Sequence, residues 1–281
     1  MKFQIEHLTE YSFSHKVFFE PHYLRFKPKD SPHSSLISFK AEIDPKPTGF
    51  AEQFDIENNH IMLCWFDETH KNLKISINTE IEVAEYNPFN FLIYPSEYLK
   101  IPFDYNYQTK QLLMPALQHG TLPKQMNRFF TDVLNKSDAQ TISFLTELTI
   151  QIHRQFVLET REFGEPLEPE HTYQKKIGSC RDLAWMQIHL LRNLGIASRF
   201  VSGYFYLDSD NPEFELHAWV EVFLPGAGWI GFDPSHGLIA GCYHIPLASS
   251  AFYGNTMPVS GSIRGTAESK MKNELKISLI S

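Results

Sequence analysis

Cysteine is scarce in this sequence. Its 281 residues include three cysteines, Cys64, Cys180 and Cys242, which are odd in number and far apart. Secreted domains that depend on disulfides carry a denser and even-numbered set. We therefore expect no disulfide framework, and this cysteine content suits a reducing compartment.

Long apolar runs are also missing. No uninterrupted hydrophobic stretch approaches the roughly 18 residues that a membrane-spanning helix requires. Residues 1–7 alternate between apolar and polar side chains and carry charge early, unlike an export signal. We therefore expect neither export nor membrane insertion, and we expect a cytoplasmic protein.

Positive charge is in deficit. The chain has 25 Lys and Arg residues against 33 Asp and Glu residues, a formal net charge of -8. Because phosphate binding normally requires a basic surface, nucleic acid is not the expected partner, although a small basic patch stays open. The hydrophobic content of 42% is typical of globular proteins, and the length allows two domains.

Apolar and polar residues alternate along about the first 85 residues, the pattern of half-buried strands. The clearest run covers residues 75–83, and similar runs cover 37–43 and begin at Phe3. Turn residues separate the runs. The pattern predicts an antiparallel β-sandwich over residues 1–90, with a role in packing or specificity.

Aromatic residues are dense from Tyr86 to Tyr107, where three prolines interrupt the chain. A flexible tether would be rich in Gly and Ser instead. We therefore interpret residues 91–120 as a connector packed between two bodies, with an aromatic ligand platform as the alternative.

Helices are predicted next, at the start of a further domain over residues 121–281. Pro123 begins one helix, and residues 137–140 have the form of a capping box ahead of a second. The apolar stripe of the second helix favours core packing over a cofactor contact.

Cys180 stands at the predicted start of a third helix. Apolar residues recur at helical spacing from Leu183 to Leu194, and Gly195 follows where a left-handed helix end is usual. A helix N-terminus favours negative charge, and the thiolate is the form of cysteine that attacks carbonyls. Cys180 is a candidate nucleophile, with inert packing as the alternative; Asp182 is interpreted as structural.

Two candidate partners follow on predicted strands. His217 lies on the strand at residues 215–223, and Asp233 ends the next short strand. These are the parts of a Cys-His-Asp triad, in which a thiolate attacks, an imidazole carries the proton and a carboxylate orients the imidazole. We therefore predict Cys180, His217 and Asp233 as the catalytic residues.

Strand register tests this assignment, because His217 and Asp233 must share a sheet face. Direct opposition of the two would pair Phe223 with Ala227 and leave residues 224–226 as the hairpin loop. A shift by two residues keeps the shared face, whereas a shift by one turns Asp233 away.

Metal binding is the alternative use of these side chains. The candidate ligands are Cys180, His217, His236, Cys242 and His244, but the paired spacings typical of zinc sites are absent. We expect neither a metal nor a cofactor.

Three motifs carry a family resemblance: residues 178–204 with their Gly-Ser-Cys-Arg-Asp start, 217–222, and 231–237. In this order they resemble the core of the bacterial transglutaminase-like superfamily. Residues 1–90, including 11–14 and 21–28, are similar to the β-domain that often precedes that core.

The resemblance implies an α+β fold, in which a β-sandwich precedes a papain-like core of helices packed on an antiparallel sheet. It places Cys180, His217 and Asp233 at the family's triad positions. It also implies a cysteine protease or a transglutaminase-like acyltransferase, acting on amide bonds of a protein or peptide substrate. A catalytically silent peptide-binding module of the same fold is the alternative.

Overall fold

A computed structural model describes residues 1–161, 164–207, 214 and 216–280. Its N-terminal part is built from long antiparallel strands. These are β1 (Lys2–Phe19), β2 (His22–Leu24), β3 (Ser34–Asp44), β4 (Gly49–Phe54), β5 (His60–Trp65) and β6 (Thr69–Val83). In one sheet β6 lies between β1 and β3, and in the other β5 lies between β2 and β4.

The two sheets pack face to face. Alternate residues of β1 and β6, such as Phe19 and Ile75, meet Leu24 and Cys64 of the second sheet in one buried core. Burial of one strand face is what the alternating sequence favours. The predicted antiparallel sandwich is therefore confirmed.

Helices form the middle of the chain. They are α1 (Tyr107–Leu112), α2 (Met114–Leu117), α3 (Lys124–Lys136), α4 (Thr141–Gln155), α5 (Pro169–Lys175) and α6 (Cys180–Asn193), with short 3-10 helices at Ser96–Leu99 and Tyr253–Thr256. In the part of the chain that the structure describes, no helix is long and apolar enough to cross a membrane.

The start of α4 differs from the prediction. Ser137 ends α3 instead of capping α4, because its hydroxyl donates to the carbonyl of Leu134 at 2.9 Å. The next two residues, Asp138 and Ala139, have left-handed backbone angles, so the predicted capping box does not form.

The aromatic segment packs on the helical core. Ile93, Tyr98 and Tyr105 are buried there, and the Tyr105 hydroxyl donates to the Phe223 carbonyl at 2.8 Å and accepts from the Ala197 N–H at 3.0 Å. This stretch therefore packs on the helical core.

A third antiparallel sheet lies beside the helices. It follows the short parallel pair β7 (Val157–Leu158) and β8 (Ile177–Gly178), and contains β9 (Ser198–Phe205), β10 (Leu216–Leu224), β11 (Gly228–Asp233), β12 (Leu238–Ile239) and β13 (His244–Ser250). The strand order is β12-β11-β10-β9-β13. Ala218, Val220 and Val222 of β10 are buried with the apolar face of α6.

The last strands return to the N-terminal part. They are β14 (Val259–Ser260), β15 (Ile263–Arg264) and β16 (Ser269–Leu279). β14 pairs with β2, and β16 pairs with β1 along its whole length. The predicted division into 1–90, 91–120 and 121–281 stays a prediction. In the structure β16 contributes Ile277 to the same core as Phe3 and Ile5.

Candidate active site

Helix α6 begins at Cys180, with Ser179 as the residue that caps it. The Asp182 carboxylate accepts hydrogen bonds from the Ser179 N–H and hydroxyl, both at 2.8 Å, and from the Leu167 N–H at 2.7 Å. It also forms an ion pair with Arg161 at 2.6 Å. Asp182 thus ties the start of α6 to the preceding loop, which agrees with its interpretation as structural.

The far end of α6 also follows the sequence pattern. The helix ends at Asn193, and Gly195 has a φ of 74°, a left-handed conformation that favours glycine. The helix therefore has the predicted extent, with Cys180 in its first turn.

In the β10–β11 hairpin His217 and Asp233 share a sheet face, as predicted, but the strands pair in a different register. Val220 lies opposite Phe232 and Leu224 lies opposite Gly228, so the loop is residues 225–227. The pairing is shifted by two residues from direct opposition of His217 and Asp233. An even shift keeps both on one face of the sheet.

The structure brings the three predicted residues together. The Nε2 atom of His217 lies 2.8 Å from Oδ2 of Asp233. The Cys180 thiol is within hydrogen-bond reach of the same imidazole ring. Because Nε2 is paired with the carboxylate, Nδ1 is the ring nitrogen left for the thiol.

Burial and charge oppose each other at His217. Burial lowers the pKa of an imidazole, but the charge and hydrogen bond of Asp233, with the hydrogen bond of Cys180, raise the pKa of His217 to about 10. Burial would also raise the pKa of Asp233, yet His217 and the hydrogen bonds of three imidazoles hold that pKa well below its usual range. The structure therefore favours an imidazolium beside a carboxylate.

Two further histidines contact Asp233. His236 approaches Oδ2 through Nδ1 at 2.8 Å, and His244 approaches it through Nε2 at 3.2 Å. The sequence indicates both residues as candidate metal ligands rather than as partners of the carboxylate. Only the short spacing of His236 from Asp233 was a sequence signal, since His244 reaches the site from β13.

One group in this cluster has the donor types of a metal site. His217, Asp233 and His236 have ligand atoms within 4.8 Å of one another. Imidazole nitrogens and a carboxylate oxygen suit zinc, which binds such atoms at about 2.0–2.2 Å. In the structure the three groups are joined by hydrogen bonds through Asp233.

Cys180, His217 and His236 open into a cleft of about 630 Å³. The core supplies one side of it, including Phe205 and Leu216. The opposite side comes from the N-terminal sheet. Its residues in the cleft are His7, Thr9 and Tyr11 of β1 and Met271, Lys272, Asn273 and Leu275 of β16.

Comparison with known families agrees with these features. The bacterial transglutaminase-like N-terminal region matches residues 3–82, and the transglutaminase-like superfamily matches residues 130–234, which include Cys180, His217 and Asp233. The predicted resemblance to the transglutaminase-like superfamily is therefore confirmed over these two stretches. Both matches fall where the structure has its sandwich and its site-bearing core.

Two relatives and one solved structure illustrate the similarity. The uncharacterized protein Rv2569c of Mycobacterium tuberculosis is 21% identical over 292 residues, covering 96% of this chain and 90% of its own. A protein-glutamine gamma-glutamyltransferase of Pseudomonas aeruginosa is 27% identical over 120 residues, 39% of this chain and 18% of its own. The structure of a proposed cysteine protease from Cytophaga hutchinsonii has a TM-score of 0.73 at 17% identity, covering 100% of this chain and 91% of that one. This last likeness supports the fold.

Proposed function

We propose that the protein is a thiol enzyme that breaks an amide bond through a thioester on Cys180. The observation that carries the proposal is the placement of one imidazole between a thiol and a buried carboxylate, inside an open cleft. His217 has its Nε2 atom 2.8 Å from Oδ2 of Asp233, and the Cys180 thiol lies within reach of the same ring. This is the order of groups that activates a cysteine nucleophile.

The chemistry follows from these positions. The Cys180 sulfur attacks the carbonyl carbon of the amide, and the developing oxyanion lies near the N-terminus of α6. There the Cys180 N–H, as one of the first four in the helix, has no acceptor within the helix. His217 transfers its proton to the leaving amine as the carbon–nitrogen bond breaks, and Asp233 stabilises the imidazolium. The product is a thioester on Cys180.

The acyl group of the thioester has two candidate acceptors, water and a primary amine. Water would give hydrolysis, as in a protease or amidase, and a primary amine would give acyl transfer. In either case His217 takes a proton from the acceptor, and the thiol is the leaving group. The name of the Pseudomonas relative makes glutamine side chains the first acyl donors to test, and peptide bonds are the second.

Alkylation with iodoacetamide tests the nucleophile without a known substrate. Cys242 is a matched internal control, because it is also a free and partly exposed cysteine, and burial raises its pKa. At pH 6 we expect Cys180 to react about 100-fold faster than Cys242, as measured by peptide mass spectrometry. Equal rates at the two cysteines would contradict the proposal.

Turnover is tested with dimethylated casein as the acyl donor and dansylcadaverine as the amine acceptor. Dye incorporation reports transfer, ammonia release without incorporation reports glutamine hydrolysis, and casein fragments report peptide cleavage. We expect Cys180→Ala to abolish whichever activity is found and Cys242→Ser to retain it. Full turnover by Cys180→Ala would show that the thiol mechanism is wrong.

A further inference from the structure

Asp233 accepts more hydrogen bonds than a catalytic triad requires. Oδ2 faces three imidazoles, those of His217 and His236 at 2.8 Å and that of His244 at 3.2 Å. Oδ1 accepts from the backbone N–H groups of Ser235 at 2.9 Å and His236 at 3.4 Å. The residue is 0% exposed. A buried carboxylate remains charged only when such donors replace water.

The geometry fixes which atom of His244 carries the proton. Its Nδ1 atom accepts a hydrogen bond from the Gly241 N–H at 3.3 Å, so Nε2 is the donor to Asp233. Burial lowers the pKa of His244, which favours the neutral ring. His236 faces the carboxylate through Nδ1, and an ionised carboxylate only accepts, so that nitrogen also donates.

The three imidazoles approach from separate elements of the core sheet. His217 lies on β10, His236 lies in the turn after β11, and His244 lies on β13 at the other edge of the sheet. Phe205 of β9 contacts all three rings, with centroid distances of 4.5–5.3 Å. Asp233 is therefore held from several directions by a packed frame.

We propose that His236 and His244 are positioning residues, which hold the Asp233 carboxylate ionised and aligned with His217. They act on the nucleophile through Asp233 and His217 and not by contact with substrate. This inference rests on the proposed function, since it assigns a role within that site.

The proposal has a consequence for pH dependence. In the described residues, the titratable groups that face Asp233 are His217 from β10, His236 from its own turn and His244 from β13, while Cys180 faces the other side of His217. Loss of one donor frees the Asp233 carboxylate to turn away from His217, and this weakens the imidazolium that the carboxylate stabilises. Cys180 would then need a higher pH to react as a thiolate.

Paired variants separate hydrogen bonding from packing. His236→Asn places an amide nitrogen near the position of Nδ1, and His244→Gln places one near the position of Nε2, so both keep a donor. His236→Leu and His244→Leu fill similar space without a donor. The measurement is the rate of iodoacetamide alkylation of Cys180 between pH 4 and 9, with Cys242 as the internal reference.

Each Leu variant is expected to move the acid limb of the Cys180 profile to higher pH by about one unit, and to slow alkylation at pH 6 about tenfold. The Asn and Gln variants should restore most of the wild-type profile. A Leu variant with a wild-type profile would overturn the proposal and leave the proposed function standing. A wild type whose Cys180 reacts no faster than Cys242 would overturn the proposed function itself.

A measurement on the wild type keeps the proposal testable if a Leu variant does not fold. In ¹⁵N-labelled protein, imidazole nitrogen shifts at pH 7 should assign the His244 proton to Nε2, and a proton on Nδ1 of His236. A proton on Nδ1 of His244, or none on Nδ1 of His236, would exclude donation to Asp233.

Discussion

Removal of the Asp182 carboxylate should destabilise the fold and misplace the nucleophile. Asp182 is buried, and its oxygens accept from the Ser179 N–H at 2.8 Å and the Leu167 N–H at 2.7 Å. In Asp182→Ala both backbone donors lose their acceptor in places where water has little access. The Arg161 side chain is 24% exposed, so its guanidinium can turn to solvent. Loss of the ion pair with Asp182 therefore adds little to the cost.

The magnitude follows from the two backbone donors. A buried donor left without a partner costs about 1–3 kcal/mol. Two such donors, with the second only half-buried, give an expected loss of about 2–5 kcal/mol, a large fraction of the stability of an ordinary domain. Asp132 on α3 is exposed, and Asp132→Ala removes the same charge at an expected change of about 0.5 kcal/mol or less.

Urea denaturation of the two variants beside the wild type measures this difference. Because Cys180 is the first residue of α6, a loosened first turn should also reduce the alkylation ratio of Cys180 to Cys242 in the folded variant. A loss below about 1 kcal/mol for Asp182→Ala, with an unchanged ratio, would refute the account of the helix start.

Two more outcomes are expected. The pKa of His217 is raised to about 10 from an ordinary 6.5, and that of Asp233 is lowered. Their pairing therefore stabilises the fold fully between about pH 4 and 6.5 and loses this effect as the pH rises towards 10. Asp233→Asn should flatten that decline in urea denaturation, and an unchanged slope would contradict the ion pair. Gly203→Ala should lower both the free energy of unfolding and the rate of Cys180 alkylation, because its Cβ would lie 2.6 Å from the Trp219 ring, which stacks beside His217. Gly254→Ala is the control, since its Cβ meets nothing within 4 Å. Equal stability of the two alanine variants would exclude this steric effect.

Local sequence was sufficient for the parts of the site that depend on near neighbours. The start of α6 is set by Ser179 and Asp182, three residues apart, and its end by Gly195. His217 and Asp233 share a sheet face whenever the hairpin register differs from direct opposition by an even number of residues. The exact register differs from the prediction by two residues, because a three-residue loop with glycine is acceptable at 224–226 and at 225–227 alike.

The parts that could not be predicted depend on distant contacts. His244 reaches Asp233 because β13 pairs with β9 at the far side of β10. Nothing in the spacing of residues 233 and 244 indicates that crossing. The placement of β16 on β1 is a pairing between the two ends of the chain, and an alternating strand gives no sign of which sheet it will join.

The pairing of the two chain ends also determines what a substrate meets. The proposed chemistry lies within residues 180–233, yet one wall of the cleft is made by Tyr11 and Thr9 of β1 beside Met271 and Asn273 of β16. A chain ending before residue 269 would keep the thiol, imidazole and carboxylate but lose half of that wall. It would also leave the side of β1 that now faces β16 unpaired along residues 3–13, an open edge that invites association with other strands. The shape of the cleft is therefore a property of the whole chain, even though its reactive groups lie in one segment.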